Sequence, residues 1–145
     1  MSASEDLQTG IRTAWAANGA LTALCPVARV TFGTLGGTPT LPYVDAKVEK
    51  AAETEYIAPT GSGSPAFVHK RVTFAVKAAT AESAADVVDA IHGAFNVEFA
   101  VPNSQNLDWR LDDDALAELP QRSNAAQQIH EGKIVFLCTL VRTMP

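Results

Sequence analysis

A catalytic or metal centre in this chain would have to be drawn from a small set of residues: Cys25, His69, His92, His130, Cys138 and the adjacent aspartates Asp112, Asp113 and Asp114. Zinc is held by several converging N, S or O ligands, with close pairs that bring two of them onto one turn or knuckle. Here each cysteine and histidine stands alone, with no C-x-x-C and no H-x-x-x-H. Covalent catalysis needs a nucleophile with a general base beside it, and neither G-x-S-x-G nor a local cysteine signature occurs. His69 neighbours Lys70 and Arg71, but successive strand residues face opposite ways, so these three would not converge. His92 falls on a helix flank and His130 in a polar loop. The expectation is a chain with no catalytic residue, no cofactor and no metal, hence not an enzyme.

Adjacent carboxylates such as Asp112, Asp113 and Asp114 suit magnesium or calcium. A calcium loop spaces its ligands around a required glycine, which this run lacks, so a solvated acidic loop is expected. The glycines of GTLGGT and TGSGS match neither G-x-x-x-x-G-K-[ST] nor G-x-G-x-x-G, and they read as turn chemistry.

The elements that would position any site are set by periodicity. Leu7, Ile11, Ala14 and Trp15 line one face of a helix over Ser4–Asn18, with Ser4 able to cap it, Glu5 and Asp6 in its first turn and Asn18-Gly19 at its end. A short turn, Ala20–Leu24, stops at Pro26. Val27–Phe32 and Leu41–Val48 read as strands, the second alternating Val44, Ala46, Val48 with Tyr43, Asp45, Lys47. Ala51–Pro65 has no period and reads as a long loop or arm. Val68–Ala78 is a half-buried strand with Val68, Val72, Phe74 and Val76 on one side. Thr80 caps a helix to about Phe95, with Ala84, Val87, Val88, Ile91 and Phe95 inward and Glu82, Asp86 and Asp89 outward. Val97–Val101 and Leu107–Leu111 read as short strands, and Ala115–Leu119 as a strand or a turn of helix. Lys133–Thr143, apolar on both faces, suits a strand near the sheet's centre.

Strands in runs, rather than in regular alternation with helices, predict an α+β fold. Its sheet would be antiparallel or mixed, with about five to six strands and two helices packed on one face. A length of 145 residues and 47% apolar content suit a single domain over residues 1–145. The net charge of -5 and the dispersed basic residues argue against tight nucleic-acid binding. Cys25 and Cys138, each among apolar neighbours, are expected as small buried hydrophobes rather than a disulfide pair. MSASEDLQTG has neither a basic segment nor an apolar run, and no later stretch is long enough to span a bilayer, so neither export nor a membrane is expected.

The succession of an amphipathic helix, GALTALCPVARVTFGT, LPYVDAKVEK, a loop, VHKRVTFAVKAATAESAADVVDAIHGAF and a last strand KIVFLCTLVRT resembles the tail-terminator, or tail-completion, proteins of long-tailed bacteriophages and related gene-transfer particles. The features that carry the resemblance are Leu41-Pro42-Tyr43-Val44 leading into a strand, and a β-rich strand running straight into the helix start Thr80-Ala81-Glu82-Ser83. The resemblance implies a viral structural subunit made in the bacterial host cytoplasm and placed at the head-tail junction of the virion. It would form a homo-oligomeric ring, a hexamer, on the tail tube, end tube growth and dock the head-completion or neck protein, while DNA passes without sequence-specific binding. A neighbouring morphogenetic role, neck adaptor or tail tube subunit, shares this build, and a small-molecule-binding α+β domain is the alternative from another class. A closed ring needs two unlike surfaces per subunit. The candidate interface residues are Glu53, Glu55, Tyr56 and Ile57 of the arm, together with Asp112, Asp113 and Asp114.

Overall fold

In the first helix, α1 (Ala3–Ala17), Leu7, Ile11 and Trp15 recur at four-residue spacing and are wholly buried. The computed structural model describes residues 3–33, 40–50, 56–57, 65–96, 99–112, 121–124 and 129–143. Two side chains of α1 bond to the segment just after it. The Trp15 indole N–H donates to the Cys25 carbonyl at 2.8 Å, and Arg12 donates to the Val30 carbonyl at 3.1 Å while its guanidinium lies 5.0 Å from the centre of the Phe32 ring. Asn18 both ends α1 and starts α2 (Gly19–Leu24), since its Oδ1 accepts the Leu21 N–H at 3.0 Å.

The strand expected over Val27–Phe32 is mostly absent. After Pro26 the chain makes a 3₁₀ turn, Val27–Arg29, because the Arg29 N–H bonds back to the Pro26 carbonyl at 2.9 Å; only β1 (Val30–Thr31) remains extended. The next elements are β2 (Tyr43–Lys50), β3 (Tyr56–Ile57), β4 (Pro65–Ala78), α3 (Ala81–Ala94), β5 (Gln105–Leu111), β6 (Gln121–Asn124) and β7 (Ile129–Thr143). Thr80 caps α3, its Oγ1 accepting the Ser83 N–H at 3.1 Å.

The fold is α+β, and among the described residues it is built on a mixed sheet of seven strands, of order β1-β2-β4-β7-β5, with β3 paired to β4 and β6 to β7. Its spine is the long antiparallel pair β4–β7, in register from Pro65↔Thr143 to Ala78↔His130. β1 lies parallel to β2, and the other pairings are antiparallel. β7 runs between β4 and β5, which explains its apolar residues on both faces.

Register sets the core. Phe74 lies opposite Ala46 on one side and Ile134 on the other, and Val72 opposite Phe136, so these side chains share a face. Onto that face come Trp15 of α1, 6.0 Å from Phe74, and Phe95 at the end of α3, 5.6 Å from Phe74. Trp109 stacks on Phe136 at 4.9 Å, extending the aromatic cluster to β5. Each fully buried aromatic ring contributes on the order of 2–3 kcal/mol through the area it removes from water.

Two further readings are corrected. Phe99–Val101 is not a strand: Phe99 packs edge-on against Trp109 and Phe95, and Val101 is buried, so their apolar character serves packing. The rest of that expected strand, 97–98, lies outside the described residues, as do 115–119. His130 belongs to β7 rather than to a polar loop, and β6 has no counterpart in the sequence pattern. Among the described residues no helix is long and apolar enough to cross a membrane.

Candidate assembly surface

The odd-numbered residues of β4 and β7 form the opposite face of the sheet, turned away from Trp15 and Phe95. Register organises this face into rows that cross three strands. Arg71 of β4 and Arg110 of β5 both lie opposite Leu137 of β7; His69 and Asp108 both lie opposite Thr139. The centre of the face is half-buried and carries Leu137, Thr139 and Val141, while Arg71, Asp108 and Arg110 are exposed around it. An apolar middle inside a charged rim is the composition of a protein-binding patch.

Four pairs of side chains meet on this face. His69 Nδ1 sits 3.0 Å from the Thr139 hydroxyl. Arg71 Nε lies 3.6 Å from an Asp112 carboxylate oxygen, and Arg110 Nε 3.6 Å from Asp108. Lys77 and Glu131, opposite one another across β4 and β7, form an ion pair at 2.5 Å. His69, Arg71, Asp108, Arg110, Leu137, Cys138 and Thr139 line a shallow depression of about 290 Å³. A second, about 380 Å³, lies beside β2 between Gln8, Phe32, Gly33 and Asp45–Val48. His69 and Arg71 share one depression, and Asp45 lies in the other.

Of the expected interface residues, the structure describes Tyr56, Ile57 and Asp112. Tyr56 and Ile57 form β3, whose backbone pairs with Phe67 and Ala66 of the chain's own sheet. Glu53 and Glu55 lie outside the described residues, as do Asp113 and Asp114. Asp112 is not a solvated loop acid: it is 4% exposed. Its N–H donates to the Val135 carbonyl at 3.0 Å, which carries the β5 pairing one residue further and places the carboxylate beside Arg71. Nothing in the sequence singles out Arg71 with Arg110, because their proximity depends on which strands pair.

Of the residues that could carry chemistry, His69 and Cys138 line the same depression. His92 is exposed in the last turn of α3. Cys25 and Cys138 are free and buried. Burial pushes the Cys25 thiol up to about 11 against a weaker opposing effect from Arg29, and pushes Cys138 up to about 12 with help from Asp108. Among the described residues no three His, Cys, Asp or Glu side chains gather where they would hold a metal ion.

The fold is of the α+β class, with a mixed sheet flanked by helices. No family model matches the chain, and no curated protein matches it. Among solved structures, a chain in the virion of a native gene transfer agent particle is similar in fold: the alignment covers 97% of this chain and 98% of that one, with a TM-score of 0.68 and 17% sequence identity. At that identity the likeness is one of fold.

Proposed function

We propose that this chain is a structural protein of a phage-like particle, and that within the particle it acts as the tail terminator. In this role copies of the chain form a ring on the end of the tail tube, stop tube growth and present a docking surface for the neck of the head. The observation that carries the reading is the end-to-end likeness of fold to a chain of a gene transfer agent virion. A sheet face with an apolar middle supports work done at the surface, and in this reading the chain turns over no substrate and uses no cofactor or metal. The net charge of -5 suits a ring around a DNA channel, since a negative lumen conducts the phosphate backbone without holding it.

The test is electron microscopy of purified particles. Antibody against this chain is expected to label the head-tail junction, and particles made without it are expected to carry overlong tubes that fail to join heads. Label along the whole tube, or absence of any tube in the deletion, would instead identify a tube subunit. Label at the junction with tubes of normal length would identify a neck adaptor.

A further inference from the structure

α3 carries a single stripe of acid. Glu82, Asp86 and Asp89 are all exposed and fall at i, i+4 and i+7, on the side opposite the buried Ala84, Val87, Val88 and Ile91. Gly93 continues the stripe, and a Cβ there would meet nothing within 4 Å. The helix has no lysine or arginine, His92 being the basic residue of its last turn. The sheet face beyond β4 and β7 carries two arginines in a matching layout, each beside a carboxylate of its own chain, with Glu49 of β2 opposite Arg71. Arg71 and Arg110 stand on either side of Leu137, two strand spacings apart, which is roughly 10 Å. From Glu82 to Asp89 is seven residues of helix, also roughly 10 Å.

We infer that the acidic stripe of α3 in one copy docks on the Arg71–Leu137–Arg110 row of the next copy, and that this contact, repeated, joins the subunits of the ring. The inference rests on the proposed ring and names its surfaces. Glu82 and Asp89 each meet one guanidinium, Asp86 is shared between them, and the small Ala85 and Gly93 let the helix come close to Leu137. The arginines are able to take new partners. Their side chains are 46% and 68% exposed, and their present carboxylates lie at 3.6 Å from Nε, well beyond the ~2.8 Å of a strong charge-assisted bond. The remaining N–H donors of each fork sit on the terminal nitrogens. The two patches lie on opposite sides of the same β4–β7 pair, so one copy meets two neighbours through unlike surfaces. That is a heterologous arrangement, which gives a ring where the rotation from copy to copy closes and an open filament where it does not.

The experiment uses the full chain in two charge-swapped forms, Arg71→Glu with Arg110→Glu, and Asp86→Lys with Asp89→Lys. Self-association is followed by sedimentation at low salt. The unaltered chain is expected to associate. Each swapped form alone juxtaposes like charges and is expected to associate at least ~100-fold more weakly. Mixed in equal amounts, the two forms present both an original and a reversed contact, and association is expected to return. Recovery on mixing also shows that both forms are folded, and Arg110→Glu alone, which leaves the Arg71–Asp112 pair intact, gives the same direction if Arg71 proves needed for folding. If the unaltered chain associates and the swapped forms associate equally well, this contact is wrong and the ring stands. A chain that stays monomeric at every concentration, and on isolated tube ends, removes the ring and this contact together.

Discussion

The indole N–H of Trp109 donates to the backbone carbonyl of Phe95 at 2.6 Å, joining strand β5 to the last turn of α3. The two rings also meet, 5.9 Å apart, and Trp109 stacks on Phe136 of β7. One side chain thus ties strand β5, its neighbour β7 and the helix that carries the acidic stripe. Phe95 closes α3, its N–H bonding to the Ile91 carbonyl at 2.9 Å, so its own carbonyl lies where helical bonding has run out.

Trp109→Phe keeps a ring for the stack and removes the donor. The Phe95 carbonyl is left unsatisfied in a buried place and a small void opens, so a loss of about 2 kcal/mol is expected. The check is the midpoint of urea unfolding, with an unchanged slope showing that the two end states are the same. A midpoint equal to the unaltered chain's would mean that water replaces the lost bond.

Two helical glycines predict opposite outcomes for one substitution. A Cβ on Gly10 would stand 2.8 Å from the Ala100 carbonyl oxygen and 3.3 Å from Val101, so the backbone of the crossing segment must move. The usual gain of about 1 kcal/mol for alanine in a helix is then outweighed by an overpacking cost of about 1–3 kcal/mol. Gly10→Ala is expected to lower the melting temperature. Gly93→Ala, with open space around the new methyl, is expected to raise it.

How much of this is legible in the sequence depends on which residues make the signal themselves. The Val72–Phe74–Val76 alternation and the Thr80 cap are local, and the structure holds both. β6 escapes detection because Gln121–Asn124 has no apolar alternation; its extended form comes from pairing with Ile129–Glu131 of β7. Phe99 and Val101 mislead in the other direction, since hydrophobic character reports burial and not backbone pairing. The Arg71–Leu137–Arg110 row is illegible for a stronger reason. Its members come from three strands far apart in the chain, and nothing in a single sequence supplies the register that aligns them.

The buried thiols predict a pH dependence. The folded chain holds the Cys25 proton up to about 11 and the Cys138 proton up to about 12, whereas an unfolded thiol releases it near 9. Between those values the folded state binds more protons than the unfolded one, so unfolding becomes easier as pH rises. This contribution is fully present below pH 9 and is lost as pH climbs through 11 and 12. Cys138→Ala is expected to flatten the decline of stability above pH 9, measured by urea unfolding at successive pH values. In the native state at pH ~8 a thiol reagent is expected to label neither cysteine, and both on unfolding.

The inferred contact between copies also predicts how association responds to salt, and this separates it from the other route by which sheets join. Backbone pairing across the outer edge of β5 would be nearly indifferent to ionic strength. That edge is poorly suited to pairing, however: the β5 register shifts between Asn106 and Asp108, and Asp108 and Arg110 are charged and exposed along it, features that blunt an edge strand. A contact made by exposed arginines and a carboxylate stripe is screened instead, since the Debye length falls from about 10 Å at 0.1 M salt to about 3 Å at 1 M. Self-association is therefore expected to weaken steadily over that range, by roughly tenfold or more for two or three ion pairs of ordinary surface strength. A Kd that stays constant from about 0.1 M to 1 M salt would point to edge pairing or an apolar contact, and the acidic stripe of α3 would then have no part in joining subunits.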